Sequence, residues 1–353
     1  DANGQIFWNS TAIDLKTFDG YAEKAAQKDP QPEINLRADK SVKYEYVAQV
    51  LAANPKSWAT KPGQAVALTF SFMTAQPNYT ATESGGIGFI SPDENYKQAV
   101  RTILQKLQNE TGLTFTEVSD SASSYGQLRF GANQQFETKG YAYLPGSVSD
   151  DRQGDVWMDK ESLQRLLPGQ EGWQALLHEI AHALGLSHPR LVSATNIGPV
   201  LLNEWNNNAY TVMSSVNAAP GLWQSWYAPY DMQALQALYG ASAKTTPAQN
   251  NHYRLSNTDG QFLQTLTDLG GTDTIDATAL SIGAVLDLRP GKFIAAGMDN
   301  TGAASWNNIF VSDSTLIERV YDTRFDDVIW GNALDNQIYW SAGNDVIDGQ
   351  AGT

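Results

Sequence analysis

Residues 171–189 read EGWQALLHEIAHALGLSHP and hold three of the four histidines in the chain. His178 and His182 are four residues apart in a predicted helix, so both imidazoles project from the same face, about one turn apart. Gly185 lies where this helix must end, because glycine can adopt the left-handed conformation that turns the chain sharply. The turn brings His188 back toward the other two histidines. This spacing predicts a metal site with three nitrogen ligands.

The predicted site has the chemistry of a catalytic zinc ion. Three protein ligands leave a fourth position open for water, whereas structural zinc sites use all four positions. Zinc lowers the pKa of a bound water to about 7, and Glu179 is placed to accept its proton as general base. We therefore predict hydrolysis of a peptide bond, with Glu179 returning the proton to the leaving amine. A bare HExxH pattern matches many ordinary helices, but the full HExxHxxGxxH pattern argues against coincidence.

A methionine further along the chain supports this interpretation. The extended motif followed by a methionine-containing turn, the Met-turn, is the signature of the metzincin metalloproteases. Residues 210–215 read YTVMSS, which places Met213 about 25 residues after His188. A buried methionine usually belongs to the core. Met213 therefore supports the predicted site only through its position relative to the motif. Met213 is therefore predicted to form a hydrophobic floor beneath the imidazoles.

The segments around the motif predict an α+β fold, with a twisted mixed sheet and an active-site helix. Ser91 is the predicted cap of the first long helix, with Pro92 in its first turn and Glu94 completing a capping box. The apolar face of this helix comprises Tyr96, Ala99, Val100, Ile103, Leu104 and Leu107. Strands are predicted at residues 65–73, 113–118, 127–130, 140–144 and 155–158, and further helices at residues 43–53, 171–184 and 230–239.

A change of composition after Gly240 predicts a domain boundary. Residues 241–251 are small and polar, and helical periodicity does not return after them. Later segments look like imperfect nonapeptide turns of a parallel β-roll. These are GGTDTIDAT at residues 270–278, DDVIWGNALDN at residues 326–336 and AGNDVIDGQAG at residues 342–352. We predict a metalloprotease domain at residues 1–240, with an arm of unassigned role at residues 1–60, and a shortened, all-β calcium-binding domain at residues 241–353.

Composition restricts the partners. A net charge of −15 argues against nucleic acid and anionic membranes, because both would be repelled at long range, and it suits cations such as calcium. The absence of cysteine excludes disulfides, thiolate zinc ligands and cysteine nucleophiles. The sequence contains neither an apolar run long enough to cross a membrane nor a signal peptide at residues 1–8. We therefore expect a soluble chain without a membrane span.

At this point the sequence resembles the serralysins, secreted bacterial metzincins with a C-terminal calcium-binding RTX roll. The resemblance extends over nearly the whole chain and includes Pro189 directly after the third histidine. The stretches that carry it are HEIAHALGLSHP at residues 178–189, QAVALTFSF at residues 64–72, LTFTEV at residues 113–118, YAYLPG at residues 141–146 and APYDMQALQALYG at residues 228–240.

The resemblance implies an extracellular, monomeric endopeptidase with one catalytic zinc ion and structural calcium. It further implies protein or peptide substrates and a proteinaceous protease inhibitor as a second kind of partner. An extended substrate would pair with the edge strand at Tyr141, Ala142 and Tyr143. The calcium ligands implied are Asp268, Gly270 and Asp273, then Glu318 and Asp327, then Gly343 and Asp345.

Three departures from the family pattern qualify this expectation. Ser215 stands where family members have a tyrosine that supports the transition state, which predicts weaker catalysis. Residues 250–251 are asparagines where a calcium-binding carboxylate is expected, and residues 321–327 read YDTRFDD where glycines are expected. Two hypotheses remain: a secreted zinc endopeptidase, or a catalytically weak or inactive binding or toxin module that retains the zinc site. The intact Glu179 favours the first.

Overall fold

The computed structural model describes residues 51, 57–77, 79, 87–147, 151–189, 201, 203–242, 249–268 and 270–352, with the backbone of two short N-terminal strands. These strands, β1 (Ile6–Trp8) and β2 (Thr11–Ile13), pair antiparallel. They belong to a unit at Asp1–Val47, which is distinct from a second unit at Ala48–Thr353. Apart from Leu51, the helix predicted at residues 43–53 lies outside the described residues.

A mixed sheet forms the centre of the second unit. Its strands are β3 (Val66–Phe72), β4 (Ile87–Ile90), β5 (Leu113–Glu117), β6 (Leu128–Gln134), β7 (Gly140–Ala142) and β8 (Asp155–Asp159). The order is β5-β3-β6-β8-β7, and β4 pairs with β6. The neighbours β5, β3, β6 and β8 are parallel, whereas β7 runs antiparallel to β8. Among the described strands β7 pairs with β8 alone, so it forms one edge of the sheet.

Helices α1 (Glu94–Glu110), α2 (Glu171–Ala183) and α3 (Pro229–Tyr239) accompany the sheet. The α+β class predicted from the sequence is confirmed. All six residues of the predicted apolar face of α1 are buried, and each fully buried aliphatic side chain contributes about 1.5–3 kcal/mol. The cap prediction at Ser91 was wrong. Asp93 is extended, so its carboxylate reaches the Tyr96 N–H at 2.8 Å and starts the helix two residues later.

Short strands follow Gly240, whose positive φ of 79° ends α3. They are β9 (His252–Arg254), β10 (Gln264–Leu266), β11 (Thr274–Asp276), β12 (Val285–Asp287), β13 (Phe293–Ile294), β14 (Ile309–Val311), β15 (Arg319–Tyr321), β16 (Val328–Trp330), β17 (Gln337–Tyr339) and β18 (Val346–Asp348). The last four begin at residues 319, 328, 337 and 346, so each starts nine residues after the one before. They alternate between two parallel sheets, because β15 pairs with β17 and β16 with β18.

Apolar side chains fill the space between these sheets. Ile275, Leu286, Val320 and Ile329 are fully buried in one cluster. A separate group of aromatic rings joins this region to the part of the chain that precedes Gly240. Tyr210 stacks on Tyr230 and contacts Phe293 and Phe310 edge-on. The domain division at residue 240 stays a prediction.

None of the described helices has the length and apolar character needed to cross a membrane.

Candidate metal centre

Helix α2 and the turn after it bring three histidines together. The Nε2 atom of His188 lies 3.0 Å from Nε2 of His178 and 3.1 Å from Nε2 of His182. Gly185 has the positive φ, 99°, that the sequence analysis required for this turn. The Leu186 N–H donates back to the Ala181 carbonyl at 2.9 Å and closes the turn. The geometry predicted from the motif spacing is therefore present.

Hydrogen bonds to backbone carbonyls determine which nitrogen two of these rings direct toward the centre of the triad. Nδ1 of His178 donates to the Val212 carbonyl at 2.7 Å, and Nδ1 of His182 donates to the Leu186 carbonyl at 2.7 Å. Because a carbonyl oxygen only accepts, each Nδ1 carries the hydrogen and each Nε2 of a neutral ring carries a lone pair.

Burial favours the neutral form of the rings. It lowers the pKa of His178 to about 4 and lowers the pKa of His182 and of His188 as well. Two nitrogens that each carry a lone pair cannot form a hydrogen bond with each other. Together they can bind a cation. Ligand nitrogens about 2.0–2.1 Å from a tetrahedral zinc ion would be about 3.3 Å apart, close to the two separations in the structure. The triad could therefore bind a metal ion.

Glu179 lies beside the triad in a buried position. Glu179 is 5% exposed, and no described residue forms a hydrogen bond with its Oε2 atom. Burial raises the pKa of this carboxyl to about 8. A cation held by the histidines would lower the pKa again by favouring the carboxylate. The Oε2 atom could therefore accept a hydrogen bond from a further donor such as water.

Gly140, the first residue of β7, makes room for this carboxyl. A Cβ atom at position 140 would lie 2.7 Å from Cγ of Glu179. The edge strand therefore approaches Glu179 as closely as its backbone allows. Sequence analysis did not single out Gly140, and the only available signal was its place at the start of a predicted strand.

The turn that contains Met213 contacts the triad through Val212, the residue before the methionine. Val212 supplies the carbonyl that accepts from His178, and Met213 is fully buried. Ser215, two residues further on, is exposed. The assignment of this segment as a Met-turn and the function of Met213 as a floor stay predictions.

Buried amides that the sequence analysis missed connect this turn to α2. Gln174, one turn before His178, accepts from Nδ2 of Asn208 at 3.1 Å and from the Gln224 N–H at 2.8 Å. Nε2 of Gln224 in turn donates to the Asn208 carbonyl at 2.8 Å. Nothing in the local sequence marks these side chains as partners, because 34 and 50 residues separate Gln174 from them.

The three residues predicted to bind substrate lie on or beside the edge strand. Ala142 ends β7, and the Tyr143 N–H continues the pairing by donating to the Asp155 carbonyl at 3.0 Å. Tyr141 is 8% exposed and Tyr143 is 4% exposed, and both rings pack in an aromatic cluster with Trp157. A peptide at this edge would therefore meet backbone rather than tyrosine side chains.

In one group of predicted calcium ligands, the carboxylate oxygens accept hydrogen bonds from N–H groups. Oδ1 of Asp268 accepts from the Gly270 N–H at 2.7 Å, and Oδ2 accepts from Nδ2 of Asn251 at 2.7 Å. The Asp273 N–H donates to Oε2 of Glu318 at 2.6 Å, so Glu318 joins this group.

A second group contains Asp327 and Asp345, whose carboxylates lie within 4.8 Å of that of Asp322. The Asp327 N–H donates to Oδ1 of Asp345 at 3.0 Å. Gly343 has a φ of 130°, which a side chain would rarely adopt. Sequence analysis missed Asp322, because it lies five residues before Asp327 and outside the turn pattern of the predicted repeat.

Known proteins match this chain in two ways. A family described as "Biopolymer transport protein ExbD/TolR" matches residues 1–57 only. Serralysin C of Dickeya chrysanthemi is 30% identical over 265 residues, which is 67% of this chain and 53% of the relative. Metalloprotease AprA of Pseudomonas entomophila is 26% identical over 336 residues, 86% of this chain and 67% of the relative. Serralysin of Proteus mirabilis is 26% identical over 335 residues, 84% of this chain and 66% of the relative.

The helix with two histidines and a glutamate, and the turn with a third histidine, define a site of the metalloprotease class. The resemblance predicted from the sequence is confirmed, and the chain is a relative of the serralysin family. It spans about half to two thirds of the length of these relatives.

Proposed function

We propose that this chain is a zinc-dependent endopeptidase, with His178, His182 and His188 as ligands of one catalytic zinc ion. The observation that carries the proposal is the convergence of three imidazoles beside the buried Glu179. The names of the relatives, which are metalloproteases, support the same class of reaction.

Glu179 is the proposed general base. A bound zinc ion supplies the charge that lowers the pKa of a water molecule to about 7 and polarises the substrate carbonyl. Glu179 accepts the proton of that water and then donates it to the leaving amine. Its burial strengthens every electrostatic interaction at this point, because water no longer screens the charges. The Val212 and Leu186 carbonyls hold two of the rings in position during these steps.

The proposed substrate is an extended segment of protein or peptide that pairs with the edge strand at Tyr141, Ala142 and Tyr143. Main-chain hydrogen bonds along such an edge provide affinity without selecting a side chain. The buried tyrosines of this strand support recognition through backbone atoms. The side chain of Ser215 is shorter than that of a tyrosine, so its hydroxyl extends less far. We therefore propose a slower reaction than in relatives that have a tyrosine at this position.

The strands after Gly240 are the proposed calcium-binding β-roll. The nine-residue spacing of β15 to β18 and the carboxylates of Asp322, Asp327 and Asp345 support this proposal. Oxygen-only ligands with flexible coordination suit calcium better than magnesium. By its relatives we further propose an extracellular, monomeric protein that a proteinaceous inhibitor can block.

A second candidate is a module that keeps the zinc site without turnover, and the exposed Ser215 favours it. Hydrolysis of casein by wild type, Glu179→Gln and Glu171→Gln, with and without a chelator, separates the two. Glu171 is a glutamate in the first turn of the same helix, so its variant is the matched control.

We expect Glu179→Gln to lose about 10²–10⁴-fold in rate, the range for a general base, while still binding one zinc ion. Glu171→Gln should retain activity, and the chelator should abolish it. Zinc binding by the wild type without hydrolysis would favour the second candidate. Equal, chelator-insensitive hydrolysis by all three proteins would contradict the proposed function.

A further inference from the structure

Asp231 is a fully buried carboxylate in the first turn of α3 that accepts three hydrogen bonds. Its Oδ1 accepts from the Thr211 hydroxyl at 2.6 Å. Its Oδ2 accepts from the Val212 N–H at 2.8 Å and from the Ala228 N–H at 3.0 Å. Two of these donors belong to the turn before Met213, so Asp231 ties that turn to the helix.

The same turn contacts the metal centre through one peptide unit. The carbonyl of Val212 accepts from Nδ1 of His178 at 2.7 Å. The N–H at the other end of this peptide belongs to Met213 and donates to Oγ1 of Thr211 at 3.0 Å. Because the peptide is planar, fixing its N–H also fixes the direction of its carbonyl. Asp231 therefore reaches His178 through Thr211 and one rigid peptide.

We infer that Asp231 is a positioning residue of the metal centre. By holding the Thr211 hydroxyl and the Val212 N–H, it aims the Val212 carbonyl at Nδ1 of His178 and so presents Nε2 to the metal. The inference rests on the proposed function only in taking His178 as a ligand. Groups that orient a metal-binding histidine are the ones whose loss weakens the site.

An ionised carboxylate suits this position, because it accepts the two N–H groups at Oδ2 and the Thr211 hydroxyl at Oδ1. Asparagine could accept the two N–H groups at its one oxygen, but its NH₂ group would then face the Thr211 hydroxyl. That hydroxyl would lose the acceptor for its hydrogen in a buried place, which weakens the link between the helix and the turn.

A purely structural role predicts a different result. A support of the fold loses stability when it is removed, but metal affinity does not change beyond that loss. Tyr227 provides the matched control, because its buried hydroxyl donates to the Leu177 carbonyl at 2.9 Å, next to His178 in the same helix. Tyr227→Phe removes a buried hydrogen bond to α2 without touching the turn.

The test measures zinc dissociation constants of full-length wild type, Asp231→Asn, Thr211→Val and Tyr227→Phe by competition with a chromophoric chelator. The visible absorption of the cobalt-loaded proteins reports the ligand geometry independently of activity. We expect both turn variants to bind zinc about 10- to 100-fold more weakly, the range for groups that orient a ligand, with a shifted cobalt spectrum. Tyr227→Phe should lower the melting temperature while leaving affinity and spectrum unchanged.

Unchanged zinc affinity in Asp231→Asn, or an equal loss in Tyr227→Phe, would overturn the inference. If Asp231→Asn does not fold, Thr211→Val decides, because it removes the Thr211 link between Asp231 and the peptide that contacts His178 while keeping side-chain volume. Wild-type affinity in that variant refutes the relay. A wild type that binds no zinc would instead refute the proposed function.

Discussion

The contact between Gly140 and Glu179 allows one prediction to be worked out from distances. In Gly140→Ala the new Cβ atom would lie 2.7 Å from Cγ and 3.2 Å from Cδ of Glu179, and 3.1 Å from Sδ of Met158. Ordinary carbon contacts are about 3.5–4.0 Å, so Glu179 and the strand must separate by about 1 Å. The flexible thioether of Met158 can give way, and the buried side chain of Glu179 must then shift away from the strand.

A displacement of about 1 Å in a catalytic group costs about 10²-fold in rate. We therefore expect Gly140→Ala to lower kcat/KM about 100-fold, chiefly through kcat, because the general base moves while the ligands do not. Zinc affinity should match that of the wild type.

The assay is cleavage of a fluorogenic peptide by zinc-loaded protein, together with a zinc titration. Gly349→Ala is the control, since nothing lies within 4 Å of the Cβ atom it would add. In a Glu179→Gln background the glycine substitution should have little further effect, because both changes act on one group. Wild-type kcat/KM in Gly140→Ala, or an equal drop in zinc affinity, would refute the reasoning.

Three further predictions concern stability. Burial raises the pKa of Asp155 to about 8, so from about pH 4 to pH 8 the folded state holds a proton that the unfolded state has lost, and stability falls as pH rises. Asp155→Asn should remove this dependence and raise the melting temperature at pH 8 relative to the wild type; parallel pH profiles would contradict this. Arg129 and Asp120 form an ion pair with side chains only 5% and 3% exposed, so Asp120→Ala should lower the free energy of unfolding in urea by about 3–5 kcal/mol, whereas an unchanged denaturation midpoint would count against it. Calcium at 100 times its dissociation constant should stabilise the fold by about 2.7 kcal/mol. Asp327→Asn should abolish most of the thermal shift, and a wild-type shift in this variant would contradict the proposed calcium site.

Local spacing predicted the parts of the structure that depend on neighbours in sequence. The periods of 3.6 and 2 placed α1, α2, α3 and most strands of the central sheet within a few residues. The His178–His182 spacing and Gly185 together specified where three imidazoles meet. Helix ends were harder, since Ser91 and Asp93 are both good caps and only the extended conformation of Asp93 decided between them.

The supporting residues could not be found in this way. Asp231 is in a segment that reads as an ordinary amphipathic helix, and its partner Thr211 lies 20 residues away. The burial of Tyr141 and Tyr143 depends on Trp157 from the neighbouring strand. Such contacts form only when the chain has folded, so no local pattern reports them.

The alternation of β15 to β18 between two sheets restricts how this region can change in length during evolution. Loss of one nine-residue step would move every later strand to the opposite sheet, and so exchange the neighbours of each turn. Loss of two steps, as from residue 319 to residue 337, would leave all later strands where they were. Viable insertions and deletions here should therefore occur in pairs of steps, with a single step tolerated only where both sheets offer equivalent partners.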